Sequence, residues 1–246
     1  MPGRQAMRSL GMQARYGQRK ARIWHALPWL RSLDRTTCEA TVKACALSPV
    51  RKNQLIACQG AHAERVIALA NGGAVIWRRR PDGRDQVTGF LFTGDLMGVA
   101  TSSIYLNSAR AFTDATLCAF DCDTLDDLIA RHISLRHALY SQVTNDLTLA
   151  HDHLLILGTM DARERVAAAL IHLDKRQRDR GMEIGTPVWL PMRRTDLASY
   201  LALELPTLSR TLTQLRRDGL IACPMPAAIV LRDRQALCDL AADAFC

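Results

Sequence analysis

The stretch Arg194–Ile221, RTDLASYLALELPTLSRTLTQLRRDGLI, constrains this chain more than any other. Leu197, Ala198 and Leu201 recur three and four residues apart, which places them on one helical face. Ala198 is small enough to let a second helix approach closely. Ala202, Leu203 and Glu204 form a link, and Pro206 suits a first helical position, where no amide hydrogen is needed. In this second helix Leu208, Leu212 and Leu215 make the buried face. Thr207, Ser209, Arg210, Thr211, Gln214 and Arg217 make the open one, and Asp218-Gly219 ends the helix. Short polar residues and arginines near a helix N-terminus are what a reader of the DNA major groove requires. The same spacing fits an ordinary two-helix hairpin in an α-rich domain, so spacing alone leaves both readings open.

A chain of 246 residues is one large domain or two ordinary ones, and 48% hydrophobic residues permit a sizeable core. The formal charge of +8 suggests an anionic partner without identifying it. Much of the surplus lies early: Arg4, Arg8, Arg15, Arg19, Lys20, Arg22, Arg31 and Arg35 face only Asp34. Residues 1–23 therefore read as a basic, flexible extension, either a solvated leader or an arm that touches DNA. The leader is also acidic-poor like an organelle transit peptide, but nothing else in the chain favours that. No apolar core follows the early arginines as it does in a secretory signal. The longest apolar run, Val66 to Trp77, is interrupted by Asn71-Gly72-Gly73 and is too short to cross a bilayer. A cytoplasmic protein with no membrane partner is expected. The eight cysteines form no Cys-x-x-Cys pair, against a zinc knuckle or thioredoxin-like motif. They fit reduced thiols, mostly small buried hydrophobes. No glycine-rich phosphate loop, metal motif or nucleophile elbow is present, so no enzyme, catalytic residue or metal site is expected.

Along the chain, WHALPWLRSL (Trp24–Leu33) reads as a segment packed on a domain edge, and Arg35–Ala46 as a helix. Short β segments follow from Val50 to Phe120: Leu55–Cys58, Val66–Leu69, Ala74–Arg79, Gln86–Phe92 and the strands within Ala109–Phe120. Pro81-Asp82-Gly83 is a hairpin turn between two of them. Thr124 caps the next helix, with Asp127 near its positive end. From Tyr140 an apolar seam runs through Val143, Leu147, Ala150, Leu154 and Leu157 in steps of 3, 4, 3, 4, 3. That heptad pattern serves a dimer seam, or else a stripe packed on the chain's own β domain. Asp161–Leu173 is a second helix, Asp174–Gly181 a polar loop, and Val188–Pro191 leads into the helix-turn-helix. Leu220–Leu231 reads as a β wing and Gln235–Phe245 as a final helix. The expected fold is α+β: an antiparallel β-barrel or jelly roll (24–123), a dimerisation-helix region (124–158) and a winged helix-turn-helix (159–246).

That order of parts resembles the CRP/FNR family of bacterial transcription regulators, in its FNR/FixK-like branch. DGRDQVTGFLFTGDLMG (Asp82–Gly98), DARERVAAAL and LPMRRTDLASYLALELPTLSRTLTQLRRDGLI carry the resemblance, which spans roughly residues 24 to 245. It implies a homodimeric, sequence-specific activator that binds double-stranded DNA at a palindromic operator and recruits RNA polymerase. The DNA contacts it implies are Arg194, Pro206, Thr207, Ser209, Arg210 and Gln214. The alternative is a regulator that binds DNA only when haem or a small ligand occupies the barrel or the dimer helix.

The departures are as informative. Oxygen-sensing FNR proteins hold an iron–sulfur cluster through several N-terminal cysteines and one in the barrel. Cys118 matches the barrel position, but residues 1–37 contain no cysteine, and a cluster needs about four thiolates. Cys118 is then an ordinary buried strand residue. Gly94-Asp95-Leu96 and Asn107-Ser108-Ala109 stand where the cyclic-nucleotide branch has Gly-Glu-Leu and Arg-Ser-Ala. Asn107 removes the charged partner of a phosphate, so cyclic AMP is not expected. Some relatives use haem, and His132, His137, His151 and His153 lie on or near the dimer helix; a surface role is the plainer reading of each. No cofactor is expected, and no residue marks an effector site. The family reads DNA through E-x-x-S-R. Ser209 and Arg210 match it, but Pro206 stands at the glutamate position and cannot accept a hydrogen bond from cytosine N4. The operator is expected to differ from the FNR half-site at that base pair.

Overall fold

The computed structural model describes residues 27–99, 103–180, 183 and 185–241. The basic extension 1–23 and the end of the expected final helix lie outside the described residues. The chain forms two compact units. The first runs to Ala74 and resumes over Phe90–Thr144; the second takes Val75–Gly89 and continues from Asn145.

In the first unit a 3-10 turn, Pro28–Ser32, buries Trp29 and Leu30. Helix α1 (Arg35–Ala44) follows, capped by Asp34. The Asp34 carboxylate accepts from the hydroxyls of Thr36 and Thr37, the Thr37 amide and the Ser134 hydroxyl. Those bonds hold it well below the usual carboxylate range. Eight strands come next: β1 (Ala46–Val50), β2 (Leu55–Ala57), β3 (Arg65–Asn71), β4 (Gly73–Arg79), β5 (Asp85–Phe92), β6 (Leu96–Met97), β7 (Ser108–Ala111) and β8 (Ala115–Asp121). They form two four-stranded sheets, ordered β1-β8-β3-β6 and β2-β7-β4-β5. The architecture is a jelly roll of two separate ladders. Ala119 of β8 lies between Ala46 of β1 and Ile67 of β3, with antiparallel pairing on both sides. Val66 to Leu69 are buried without alternation, as in a strand covered on both faces.

Aromatic rings fill this unit. Trp29 meets Phe120 at 6.4 Å between centroids, and Phe112 meets Phe90 at 6.3 Å and Phe92 at 6.0 Å. The β3–β4 turn is built to admit Phe112. Gly72 has φ +88°, and a Cβ on Gly73 would stand 2.1 Å from the Phe112 ring.

The structure corrects two local expectations here. Cys118 is not an isolated buried thiol: it is joined to Cys45 by a disulfide, with Cα atoms 5.7 Å apart. Cys45 directly precedes β1, and the β1–β8 ladder brings the two together. Helix α2 (Cys122–Arg131) is capped by Asp121, whose carboxylate accepts from the Thr124 amide; Thr124 is inside the helix. After His132, whose Nδ1 lies 2.9 Å from the Thr37 hydroxyl, helix α3 runs Ile133–Thr159. Among the described residues no helix is long and apolar enough to cross a membrane.

In the second unit helix α4 (Ala162–Arg178) starts at a capping box in which Asp161 and Glu164 bond reciprocally. Then come β9 (Val188–Trp189), α5 (Arg194–Tyr200), α6 (Leu205–Arg217), β10 (Ile221–Met225), β11 (Ala228–Leu231) and α7 (Arg234–Leu240). The strands form a wing ordered β10-β11-β9, so Val188–Trp189 is its third strand as well as a lead-in. The expected loop at Asp174–Gly181 is helix as far as Arg178. Its polar residues face inward: Asp174 is 7% exposed and pairs with Arg178 and with Arg234 of α7. Gln177 donates to the Trp189 carbonyl and accepts from its amide.

Replacing Gly73 by alanine should lower first-unit stability by about 2 kcal/mol, the usual cost of overpacking a filled core. Denaturant unfolding followed by the CD of the β domain measures it, and an unchanged midpoint would show that Phe112 yields freely.

Candidate nucleic-acid interface

The link between α5 and α6 is tight because Ala202 adopts φ +51° and the Leu203 amide returns to the Ala198 carbonyl at 2.9 Å. Leu197 and Leu201 are buried on the α5 side, and Leu208 and Leu215 are fully buried on α6. Thr211 is also buried, at 8% exposure, while Leu212 is half-buried. This corrects the expected faces: the inner stripe of α6 is Leu208, Thr211 and Leu215, spaced three and four apart.

The outer face follows from that rotation. Ser209, Arg210, Gln214 and Arg217 are exposed. With Thr213 and Asp218 they line one shallow surface hollow. The Arg210 Nε donates to the Pro206 carbonyl at 3.3 Å, holding the guanidinium beside the first turn. Pro206 is exposed, and it occupies the second helical position rather than the first, behind Leu205. Thr207 is half-buried. Arg194 does not line this hollow. Its Nη2 donates to the Pro226 carbonyl at 3.0 Å, tying α5 to the wing turn, and its Nη1 is buried with no hydrogen-bond partner. The sequence marks Asp218 only as a helix stop and does not mark Thr213 on this face; their spacing of three and four from Arg210 and Gln214 is the available signal.

Side chains behind the helices set their positions. Arg165 donates to the carbonyls of Leu157, Met160 and Leu201, joining the end of α3 to the end of α5. Arg163 pairs with Asp218 at 2.7 Å, joining the start of α4 to the end of α6. His153 stacks on Tyr200 with centroids 3.9 Å apart and donates from Nε2 to the Tyr200 carbonyl at 2.8 Å. Burial pushes the Tyr200 phenol up to about 12 and lowers His153. His172 is pushed down to about 4, by burial first and then by cations that include Arg176 and Lys175. The β4–β5 hairpin reaches the same place: the Val87 amide donates to the Ser199 hydroxyl at 3.0 Å, and the Gln86 amide donates to the Ser199 carbonyl.

In the seam on α3, Tyr140, Val143, Leu147 and Leu154 are 46–72% exposed, Ala150 is exposed and Leu157 half-buried. Ile133 and Leu155 add exposed apolar surface. In the β unit, Asp95 is buried and accepts from the Phe92 amide at 2.8 Å, closing the Gly94-Asp95-Leu96 turn on itself. The Ser108 hydroxyl accepts from the Gln59 amide. Among the described residues no three His, Cys, Asp or Glu side chains converge to hold a metal ion.

Residues 164–240 match the Crp-like helix-turn-helix domain, and residues 47–132 the cyclic nucleotide-binding domain. The chain is 35% identical over 175 residues to the nitrogen fixation regulation protein FixK of Azorhizobium caulinodans, covering 71% of each. The chain belongs to the CRP/FNR family of transcription regulators. Within this family it is 36% identical over 160 residues to the transcriptional activatory protein AadR of Rhodopseudomonas palustris, covering 65% of this chain and 66% of AadR. The structure of FixK2 from Bradyrhizobium japonicum superimposes with a TM-score of 0.73 at 30% identity, over 80% of this chain and 96% of that one. These CRP/FNR relatives are regulators, not enzymes, and the α5–α6 pair lies within the residues that match the Crp-like helix-turn-helix domain.

The buried histidine gives the second unit a defined pH response. Because the folded value of His172, about 4, lies below its ordinary 6.5, the unfolded chain takes up this proton first. The stability is full above pH 6.5 and falls as pH drops toward 4, by about 3 kcal/mol at most. Comparing unfolding of the protein and its His172→Gln variant across that window should show a shallower slope in the variant. Parallel slopes would mean that His172 does not titrate this way.

Proposed function

We propose that this protein is a homodimeric activator that binds a two-fold palindromic operator by laying α6 in the major groove of each half-site. One observation carries the reading. The outward row Ser209, Arg210, Thr213, Gln214 and Arg217 is aimed by a helix anchored from behind on Leu208 and Leu215. Arg210 is the guanine reader, donating to O6 and N7. Ser209, Thr207 and Gln214 supply shorter polar contacts, and Pro206 meets the groove at the helix start. Arg194 positions the wing and reaches phosphate only from its exposed part. Half-sites about one helical turn apart suit a two-fold dimer.

The dimer is assigned to the apolar seam on α3, which the single chain leaves exposed and a second copy would cover. Residues 1–23 are assigned as the basic extension, 24–123 as the sensor-like β domain, 124–158 as the dimerisation region and 159–246 as the DNA-binding domain. The activator role draws support from the name of AadR and implies contact with RNA polymerase. A cytoplasmic location follows from that work. Control by a bound nucleotide or haem has less support. Asp95 closes its own turn, the Phe112 ring fills the space over Gly73, and the rings of His132 and His153 are engaged.

Selection of bound DNA from a random pool should return a palindrome. On it Arg210→Ala should weaken binding about 10- to 100-fold per half-site and about 100- to 10,000-fold in all, the worth of one bidentate guanine interaction in each half-site, with an unchanged CD spectrum. Equal affinity for the operator would refute the assignment. Leu147→Glu combined with Leu154→Glu should give monomers in sedimentation; a persistent dimer would place the interface elsewhere.

A further inference from the structure

The first turn of α6 opens with two apolar side chains that the described residues leave partly uncovered. Leu205 is 38% exposed, and Pro206 beside it is exposed. Glu204, the N-cap, makes no side-chain capping bond. This apolar pair adjoins the polar row of the same helix, and the Arg210 guanidinium is bonded to the Pro206 carbonyl. A surface that meets base edges with carbon alone neither donates nor accepts a hydrogen bond. In the major groove one base offers a matching group: thymine, through its C5-methyl. Cytosine at the same place would leave its N4 donor facing hydrocarbon, which costs free energy when water is excluded.

We infer that Pro206, flanked by Leu205, is a specificity-determining residue that selects a thymine methyl in each half-site. The inference rests on the proposed placement of α6 in the major groove and says which base pair replaces the one a glutamate would read. The position follows from geometry. Pro206 precedes Arg210 by four residues, about 6 Å along the helix axis, and base pairs are about 3.4 Å apart. The thymine therefore lies one or two pairs from the guanine that Arg210 contacts.

The test uses the full-length protein and the operator returned by random-pool selection. Each thymine of the half-site is replaced in turn, symmetrically, by deoxyuridine, which keeps the pairing and the O4 acceptor and lacks only the methyl. Affinity is read by fluorescence anisotropy. One replacement, within two pairs of the guanine, should weaken binding about fourfold per half-site and about fifteenfold in all, the worth of a buried methyl. In Pro206→Ser and Leu205→Ala together that penalty should fall below about twofold. Pro206→Glu should remove it and move the preference toward a C·G pair. Both residues are exposed, so folding of the variants is checked by their CD spectra and melting. An operator bound specifically and abolished in Arg210→Ala, yet indifferent to every deoxyuridine, would overturn the inference and leave the DNA-binding reading intact. So would a C·G preference at that pair in the unaltered protein, or a penalty that persists undiminished in the double variant. No enriched sequence at all would overturn both.

Discussion

The helix-turn-helix unit of this protein depends on the burial of Leu208 and Leu215, which fixes the rotation of α6 about its axis. Each is fully buried and is worth about 1.5–3 kcal/mol in area removed from water. The larger consequence is directional. Once these two leucines and Thr211 point inward, the 3.6-residue period leaves Ser209, Arg210, Gln214 and Arg217 pointing out. Helix α4 packs on both α6 and α7 and is buried along most of its middle. It is the platform on which α6 rests.

The platform is polar where it meets its neighbours, and that distinguishes it from a plain apolar core. Asp174 is buried between two arginines, Gln177 makes two bonds to the backbone of Trp189, and Arg165 serves three carbonyls at helix ends. Buried charge is costly unless it is paired and hydrogen-bonded. What such groups add is geometric definition, because each partner satisfies the other in one arrangement. The helix-end carbonyls held by Arg165 would otherwise be orphan acceptors.

The β unit keeps the family architecture, and residues 47–132 within it match the cyclic nucleotide-binding domain. The turn at Gly94-Asp95-Leu96 is closed internally by Asp95, which accepts from the Phe92 amide. Phe90, Phe92 and Phe112 pack against one another, and Gly72-Gly73 admits the last of them. A fold by itself does not fix a ligand chemistry, and function lives in the site that the fold carries.

The sequence by itself determined whatever is local to a helical turn or a hairpin. The α5–α6 pair, the Pro81-Asp82-Gly83 turn, the Asp161 start of α4, the wing and the exposed stripe from Tyr140 to Leu154 were all legible, because periodicity and turn chemistry act within a few residues. Only the tertiary structure decided matters that join distant residues. The polar run from Asp174 looks solvated in the sequence and reads as a loop; the partner that buries Asp174, Arg234, is 60 residues away. The Cys45–Cys118 bridge spans 73 residues. Arg194 donates to the wing carbonyl of Pro226, 32 residues on, a tie that nothing local to its helix announces. Thr211 looked solvent-facing until the packing of α6 set its rotation. In each case a polar side chain has several partners that would satisfy it, and the pairing is chosen by which elements the fold brings within hydrogen-bond reach.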